Sequence, residues 1–208
     1  MYLEWVLVAA LGLGAYLLGS FPTAYLVVRR TKRQDIRELG TRNVGAMNAF
    51  QQAGRTAGIL VLVGDAGKGV IAVLAPLWLG FPQWTVFLTS GLAVIGHVWP
   101  VFLNFRGGKG AAVVLGVSLT FLPLLTLTAA VPTALIIFVT RNVVIGAVLG
   151  FAILNTLVIA TGQGPAQVAV CMLMTALVST TYVVSLRKQL GSAIRRRDWK
   201  GLFYGSKS

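Results

Sequence analysis

The chain has 208 residues, of which 56% are hydrophobic and only 11% are charged. Soluble domains usually carry about 25% charged residues, so this composition excludes an ordinary soluble protein. The net charge of +13 indicates Lys and Arg retained on the cytoplasmic side of a membrane, near anionic lipids, rather than a nucleic-acid-binding protein. The single cysteine excludes an internal disulfide, and no metal site or cofactor is expected.

Apolar runs of about 20 residues, long enough to cross a bilayer, recur along the chain. They predict an all-α polytopic membrane protein with one integral membrane domain over residues 1–208. The first run is interpreted as a retained helix, because no basic residue precedes it. The fourth and fifth are short and are expected to turn at Pro123. The seven expected transmembrane helices cover residues 4–28, 57–79, 83–105, 111–121, 126–140, 143–161 and 166–185.

Basic residues follow the first, third, fifth and seventh of these spans, whereas the junctions "GFPQ", "LPLL" and "TGQGP" contain no Lys or Arg. The positive-inside rule then places the N-terminus outside and the C-terminus in the cytoplasm. The basic tail, residues 186–208, is predicted to be a cytoplasmic amphipathic helix on the membrane surface. A solvated tail is the alternative.

The first cytoplasmic junction, residues 37–55, reads "RELGTRNVGAMNAFQQAGR". Gly40 and Gly45 allow backbone turns that expose amide N–H groups, and such concave turns bind anions. Thr41, Asn43 and Asn48 add polar side chains that do not suit a helix interior. The junction is therefore a candidate anion site, with a solvated loop as the alternative.

The second junction, residues 104–112, reads "NFRGGKGAA". Gly107 and Gly108 allow a ligand to approach the backbone, and Arg106 and Lys109 supply positive charge. Gly110 leads into the next helix, whose N-terminus also favours an anion. The spacing differs from that of the nucleotide-binding P-loop. It predicts a phosphate site without a magnesium nucleotide, or otherwise a tight turn with cytoplasmic positive charge.

Charged residues inside a span are costly and are functional candidates. Asp65 and Lys68 are spaced i and i+3 on one helix face, so they can pair. A buried structural ion pair is the alternative. His97 is expected to reach the same cytoplasmic cavity, or to bridge helices. These groups beside a hydrocarbon phase indicate a site for a phosphorylated, amphiphilic substrate.

Four segments resemble the bacterial acyl-phosphate:glycerol-3-phosphate acyltransferases, the PlsY family: "LLGSFPTAYLV", "DIRELGTRNVGAMNA", "GILVLVGDAGKG" and "GHVWPVFLNFRGGKGAA". The resemblance covers about the first 145 residues. It implies a multi-pass enzyme of the bacterial inner (plasma) membrane whose active site faces the cytoplasm. Such enzymes transfer a fatty acyl group from acyl phosphate to glycerol 3-phosphate, and form lysophosphatidic acid for phospholipid synthesis.

With this resemblance, Thr41, Asn43 and Lys109 are the expected catalytic residues. Lys109 and its neighbouring glycines would hold acyl phosphate, and Thr41 and Asn43 would orient glycerol 3-phosphate. No His–carboxylate base pair is apparent in the sequence, so a substrate phosphate is expected to accept the proton. The expected substrate-binding residues are Gly40, Arg42, Gly45, Asn48, Arg55, Asp65, Lys68, His97, Arg106, Gly107, Gly108 and Gly110.

The chain also departs from the family pattern. Thr41, Arg42, Met47 and Gln51 stand where the first motif has Ser, Gly, Thr and Arg, and the third motif is not visible after Tyr182. Arg42 or Arg55 is the candidate to supply the positive charge of the motif Arg that Gln51 replaces. Two alternatives to the enzyme are a catalytically inactive homologue that binds lipid phosphates and a small transporter that uses the intramembrane ion pair.

Overall fold

The structure is a computed structural model that describes residues 2–196, and all the regular secondary structure in this part of the chain is helical. Short 3₁₀ helices cover Ile36–Glu38 and Val101–Leu103. The α-helices are α1 (Tyr2–Ser20), α2 (Thr23–Lys32), α3 (Ala46–Ala53), α4 (Arg55–Trp78), α5 (Gln83–Val98), α6 (Ala111–Phe121), α7 (Pro123–Thr140), α8 (Val143–Ala160) and α9 (Pro165–Arg196).

Six helical segments within residues 2–196 are long and apolar enough to cross a membrane. They lie where six of the seven spans are predicted. The remaining one is α6, whose 11 residues extend about 16 Å, roughly half of a bilayer core of about 30 Å. The turn expected at Pro123 is present, because α6 ends at Phe121 and α7 begins at Pro123. The six segments are Tyr2–Lys32, Arg55–Trp78, Gln83–Leu103, Pro123–Thr140, Val143–Ala160 and Pro165–Val184.

The first of these segments is broken between α1 and α2. Pro22 lacks an N–H group and cannot continue the hydrogen-bond ladder of α1, so α2 starts at Thr23. The carbonyl group of Phe21 at the break accepts a hydrogen bond of 2.7 Å from Lys68 Nζ on α4. The same carbonyl also accepts a hydrogen bond of 2.9 Å from the N–H of Thr23, so Lys68 adds a second, charged donor at the break.

Glycines bring α4 and α6 into close backbone contact. A Cβ atom at Gly69 would meet the carbonyl group of Val113, and one at Gly116 would meet that of Ala66. Small residues at such positions allow helices in membranes to approach closely. This contact fixes α6 against α4, and with it the position of the loop that precedes α6.

The predicted basic tail begins inside a helix. Helix α9 continues without interruption through Arg196, beyond the end of the predicted seventh span at Ser185. Residues 197–208 lie outside the described part of the chain. An amphipathic surface helix over residues 186–208 therefore stays a prediction.

Candidate active site

A cavity of about 560 Å³ lies between α4, α6, α7 and α8. Helix α6 lines it with Ala111, Ala112, Leu115 and Ser118, and α7 and α8 supply mainly small or apolar side chains. The other end is polar, where the cavity reaches the loop before α3, the loop before α6 and the C-terminal part of α9. The polar end is lined by Asn43, Asp65, His97, Lys109 and Tyr182.

The glycine-lysine loop folds back over the end of α5. The N–H of Gly107 donates to the carbonyl of Val98 at 3.2 Å, and the N–H of Gly108 donates to that of His97 at 3.1 Å. A Cβ atom at Gly108 would collide with the imidazole of His97. These two glycines were expected to offer their amides to a phosphate. The structure instead uses both amides to hold the loop.

The amides that remain for an anion are those of the α6 N-terminus. Gly110 precedes this helix in the left-handed conformation, with φ = 85°, where glycine has no steric cost. The first bond of the helix runs from the N–H of Val114 to the carbonyl of Gly110. The N–H groups that precede it have no intrahelical acceptor. Together with Lys109, they form the cationic end of the cavity.

Helix α9 holds Lys109 in place. The carbonyl of Lys109 accepts a hydrogen bond of 3.1 Å from Thr181 Oγ1, and Lys109 Nζ lies 4.3 Å from the centroid of the Tyr182 ring. Burial lowers the pKa of the Lys109 ammonium from its usual value. The sequence did not single out either α9 residue as functional, although the polar triplet "TTY" near the C-terminal end of an apolar span was the available signal.

Asn48 organises the first loop rather than lining the cavity. Its Nδ2 donates to the carbonyl groups of Ile36, Leu39 and Asn43, at 3.0–3.3 Å. Its Oδ1 accepts from the N–H of Thr41 at 3.2 Å. Asn48 is buried, so its amide is committed to the protein. It positions Asn43, which does line the cavity.

Several other predicted residues also lie away from the cavity wall. Arg42, which has φ = 60°, is exposed, as are Thr41, Arg55 and Arg106. The structure brings together Asn43, Gly45, Asp65, His97, Lys109 and Gly110 along one cavity. It leaves off that cavity Gly40, Thr41, Arg42, Asn48, Arg55, Lys68, Arg106, Gly107 and Gly108.

The intramembrane ion pair predicted from the i, i+3 spacing is present and buried. Lys68 Nζ lies 2.7 Å from Asp65 Oδ1 and also binds the helix break at Phe21. His97 Nδ1 lies 3.7 Å from the same carboxylate oxygen, which is longer than a hydrogen bond. No His–carboxylate neighbours were expected from the sequence, and these two meet only through the packing of α4 against α5.

Comparisons with known proteins agree with this architecture. The family model for glycerol-3-phosphate acyltransferase matches residues 9–192. A glycerol-3-phosphate acyltransferase of Syntrophotalea carbinolica is 37% identical over 187 residues, which cover 88% of this chain and 94% of that protein. Glycerol-3-phosphate acyltransferase 1 of Dehalococcoides mccartyi is 36% identical over 190 residues, covering 88% and 91%.

Two solved structures share the fold. One is the glycerol 3-phosphate form of PlsY (YgiH), an integral membrane glycerol 3-phosphate acyltransferase. It has a TM-score of 0.79 and 28% identity, and the match covers 91% of this chain and 93% of that one. The lysophosphatidic acid form gives a TM-score of 0.75 at 27% identity with the same coverage. Together with the six long apolar helices, these matches identify a multi-pass membrane protein, and the chain belongs to the glycerol-3-phosphate acyltransferase family.

Proposed function

We propose that the protein transfers a fatty acyl group from acyl phosphate to the 1-hydroxyl of glycerol 3-phosphate, forming lysophosphatidic acid and phosphate. The observation that carries this proposal is the single cavity that joins a cationic polar end to an apolar groove between transmembrane helices. Both substrates bear phosphate, and one also needs room for an acyl chain. The names of the relatives and of the two PlsY structures support the same reaction.

Acyl phosphate is an activated mixed anhydride, so no covalent protein intermediate is needed. The acceptor hydroxyl oxygen attacks the acyl carbonyl carbon, the bond from that carbon to the phosphate oxygen breaks, and the departing phosphate accepts the hydroxyl proton. Lys109 and the first amides of α6 are proposed to bind the leaving phosphate and stabilise its charge. Asn43 is proposed to orient the acceptor, with Asp65 and His97 at the same end.

We further propose that the short helix α6 crosses the membrane as a seventh span. The N-terminus then lies outside and the C-terminus lies in the cytoplasm. The polar end of the cavity then faces the cytoplasm of a bacterium from its plasma membrane. Support comes from the basic residues that flank alternate spans and from their absence in the other junctions.

Single-cysteine labelling tests this topology. A cysteine near Gln163 should react with an impermeant reagent in intact cells, and one near Arg106 should react only after permeabilisation. The native Cys171 is replaced first.

A catalytically inactive homologue that binds lipid phosphates is the second candidate. The observation in its favour is that Thr41 and Arg42, which depart from the family motif, lie exposed and away from the cavity. The small-transporter alternative has less support, because Lys68 is bonded to Asp65 and Phe21 and does not line the large cavity.

One assay separates these candidates. Purified protein is given palmitoyl phosphate and glycerol 3-phosphate, and lysophosphatidic acid and phosphate are measured together. Equal amounts of both products, formed more slowly by Lys109→Ala, are expected from the enzyme. Binding of palmitoyl phosphate without either product would instead support the inactive homologue. Phosphate release without lysophosphatidic acid would mean that glycerol 3-phosphate is not the acceptor.

A further inference from the structure

Helix α7 lines the apolar groove with unusually small side chains. The residues that face the cavity from this helix are Thr126, Ala129, Ala130, Thr133, Ala134 and Ile137. Ala130 and Ala134 are exposed, although both lie deep within a span. Because an alanine ends at Cβ, each of these positions leaves space in the groove where a longer side chain would lie. The small size of these alanine side chains therefore determines how much space the groove has along α7.

The groove extends along α7 as far as a buried cluster of apolar side chains. Thr126 and Ile137 are about 16 Å apart along the helix axis, at 1.5 Å per residue, which is about the thickness of one leaflet of a bilayer. At the far end, Leu154 of α8 lines the cavity and belongs to a buried cluster with Leu122 and Ala129. Lys109 lies at the opposite, polar end. A chain that enters from the polar end thus runs along α7 until it meets this cluster.

We propose that Ala134 and Ala130 determine the longest acyl chain that the protein accepts. Ala134 lies nearer the polar end, where the acyl carbonyl reacts, and Ala130 lies one helical turn deeper in the groove. This inference rests on the proposed acyl transfer and concerns the chain length of the acyl phosphate donor. Two adjacent turns of one helix then act as successive length limits. A bulky residue at Ala134 should block a longer part of the groove than the same residue at Ala130.

The size of the expected effect follows from geometry. Positions 130 and 134 are separated by about one helical turn, or roughly 5.4–6 Å. Successive carbons of an extended alkyl chain advance by about 1.3 Å, because a C–C bond of about 1.5 Å is inclined to the chain axis. The two substitutions should therefore differ by about four carbons in the longest chain accepted.

The test compares Ala134→Phe, Ala130→Phe and the parent with saturated acyl phosphates from octanoyl to stearoyl. Val131→Phe is the matched control, because Val131 lies between the two positions on the same helix but is 73% exposed and does not line the cavity. Ala134→Leu and Ala130→Leu are smaller changes at the same sites and guard against a folding defect. The thermal shift produced by lysophosphatidic acids of matched chain lengths is a second readout that does not need turnover.

We expect both Phe variants to retain activity on short chains and to lose at least tenfold on long ones, with the cut-off shortest in Ala134→Phe. Val131→Phe should keep the profile of the parent. Identical length profiles in all variants, or an equal shift in the control, would overturn the inference. If no acyl phosphate yields lysophosphatidic acid, the proposed reaction fails. The thermal shifts then test the inference alone. It stands if the longest lysophosphatidic acid that binds is shorter in Ala134→Phe than in Ala130→Phe, and shorter in both than in the parent. It fails if all variants bind the same lengths.

Discussion

The ammonium group of Lys109 lies over the face of the Tyr182 ring, 4.3 Å from its centroid. The two residues are far apart in sequence and meet because α9 packs against α5 and α6. An aromatic face attracts a cation, and the attraction grows when water is excluded. Lys109 is half-buried here, so the ring both orients the ammonium towards the cavity and compensates part of its lost hydration.

Tyr182→Leu should weaken phosphate binding, whereas Tyr182→Phe should not, because it keeps the ring. A cation–π contact contributes about 0.5–2 kcal/mol, which corresponds to a rise of roughly 2–30-fold in KM for acyl phosphate. Burial already lowers the pKa of Lys109, and loss of the ring should lower it further. The rise of KM with increasing pH should therefore begin at a lower pH in Tyr182→Leu. Equal KM–pH profiles in the two variants would show that the ring has no such role.

Lys109→Ala should reduce acyl transfer, with Arg106→Ala as the matched control. Loss of a charge-assisted contact costs about 1.5–3 kcal/mol, or roughly 10–150-fold in kcat/KM. Arg106 is exposed and does not line the cavity, so its loss should leave kcat/KM within about twofold. A larger effect at Arg106 than at Lys109 would reverse the assignment of the phosphate ligand.

Lys68→Met should strongly destabilise the protein, because it leaves the Asp65 carboxylate buried without its partner and removes one of the two donors to the Phe21 carbonyl. Removing one member of a buried ion pair costs about 3–5 kcal/mol. Asp65→Asn combined with Lys68→Met removes both charges and should recover a large part of that loss. Thermal unfolding in detergent measures the three variants. If the double variant is no more stable than Lys68→Met, the pair does not act as a unit.

The first loop should contain an acid-sensitive contact. Arg37 binds Asp35 through both carboxylate oxygens at 2.7–3.1 Å and also donates to the carbonyl of Leu103 at 3.2 Å. The hydrogen bonds from Arg37 lower the pKa of Asp35 below 3.8. Because the folded pKa is depressed, this contribution is complete above about pH 5 and disappears as the pH falls through the folded value.

Asp35→Asn should accordingly lower the free energy of unfolding at pH 7 by less than about 1 kcal/mol, since the pair is partly exposed. The difference from the parent should vanish at strongly acidic pH. Denaturation in detergent between neutral pH and pH 3 measures it. A difference that grows on acidification would have the wrong sign for this contact.

Arg42→Gly should stabilise the first loop. Arg42 has φ = 60°, a left-handed conformation that costs a non-glycine residue about 1–2 kcal/mol. The greater freedom of glycine in the unfolded chain offsets about 0.4–1 kcal/mol of this, so a net gain between zero and about 1.6 kcal/mol is expected. Arg42→Ala keeps the strained conformation and should show no gain. Since Arg42 does not line the cavity, both variants should retain activity within about twofold.

Local patterns in the sequence predicted the features that depend on near neighbours. Hydropathy located the apolar helices, Pro123 marked a turn, and the i, i+3 spacing of Asp65 and Lys68 gave a pair that the structure shows at 2.7 Å. A helix face or a turn is determined within a few residues. These predictions therefore required no knowledge of tertiary packing.

The composition of the site could not be predicted in the same way. The contact of Tyr182 with Lys109 depends on how α9 packs, and the bonds of Asn48 depend on the path of the whole loop. Glycines in "RGGKG" suggest free amides, but the amides of Gly107 and Gly108 are consumed by the end of α5. Sequence gives the type of group available, whereas packing decides whether it faces a ligand or the protein.

The hydrogen bond between Lys68 and Phe21 has a consequence for how the chain enters the membrane. The helix break at Phe21 emerges from the ribosome well before Lys68, which follows 47 residues later. Until α4 packs against the break, the Phe21 carbonyl keeps the N–H of Thr23 as its donor, but the Lys68 ammonium lacks this acceptor. A charged group in hydrocarbon without its full set of partners is costly. The first segment is thus best retained beside the translocation channel until α4 joins it, so that biogenesis releases the two into lipid as one assembled unit.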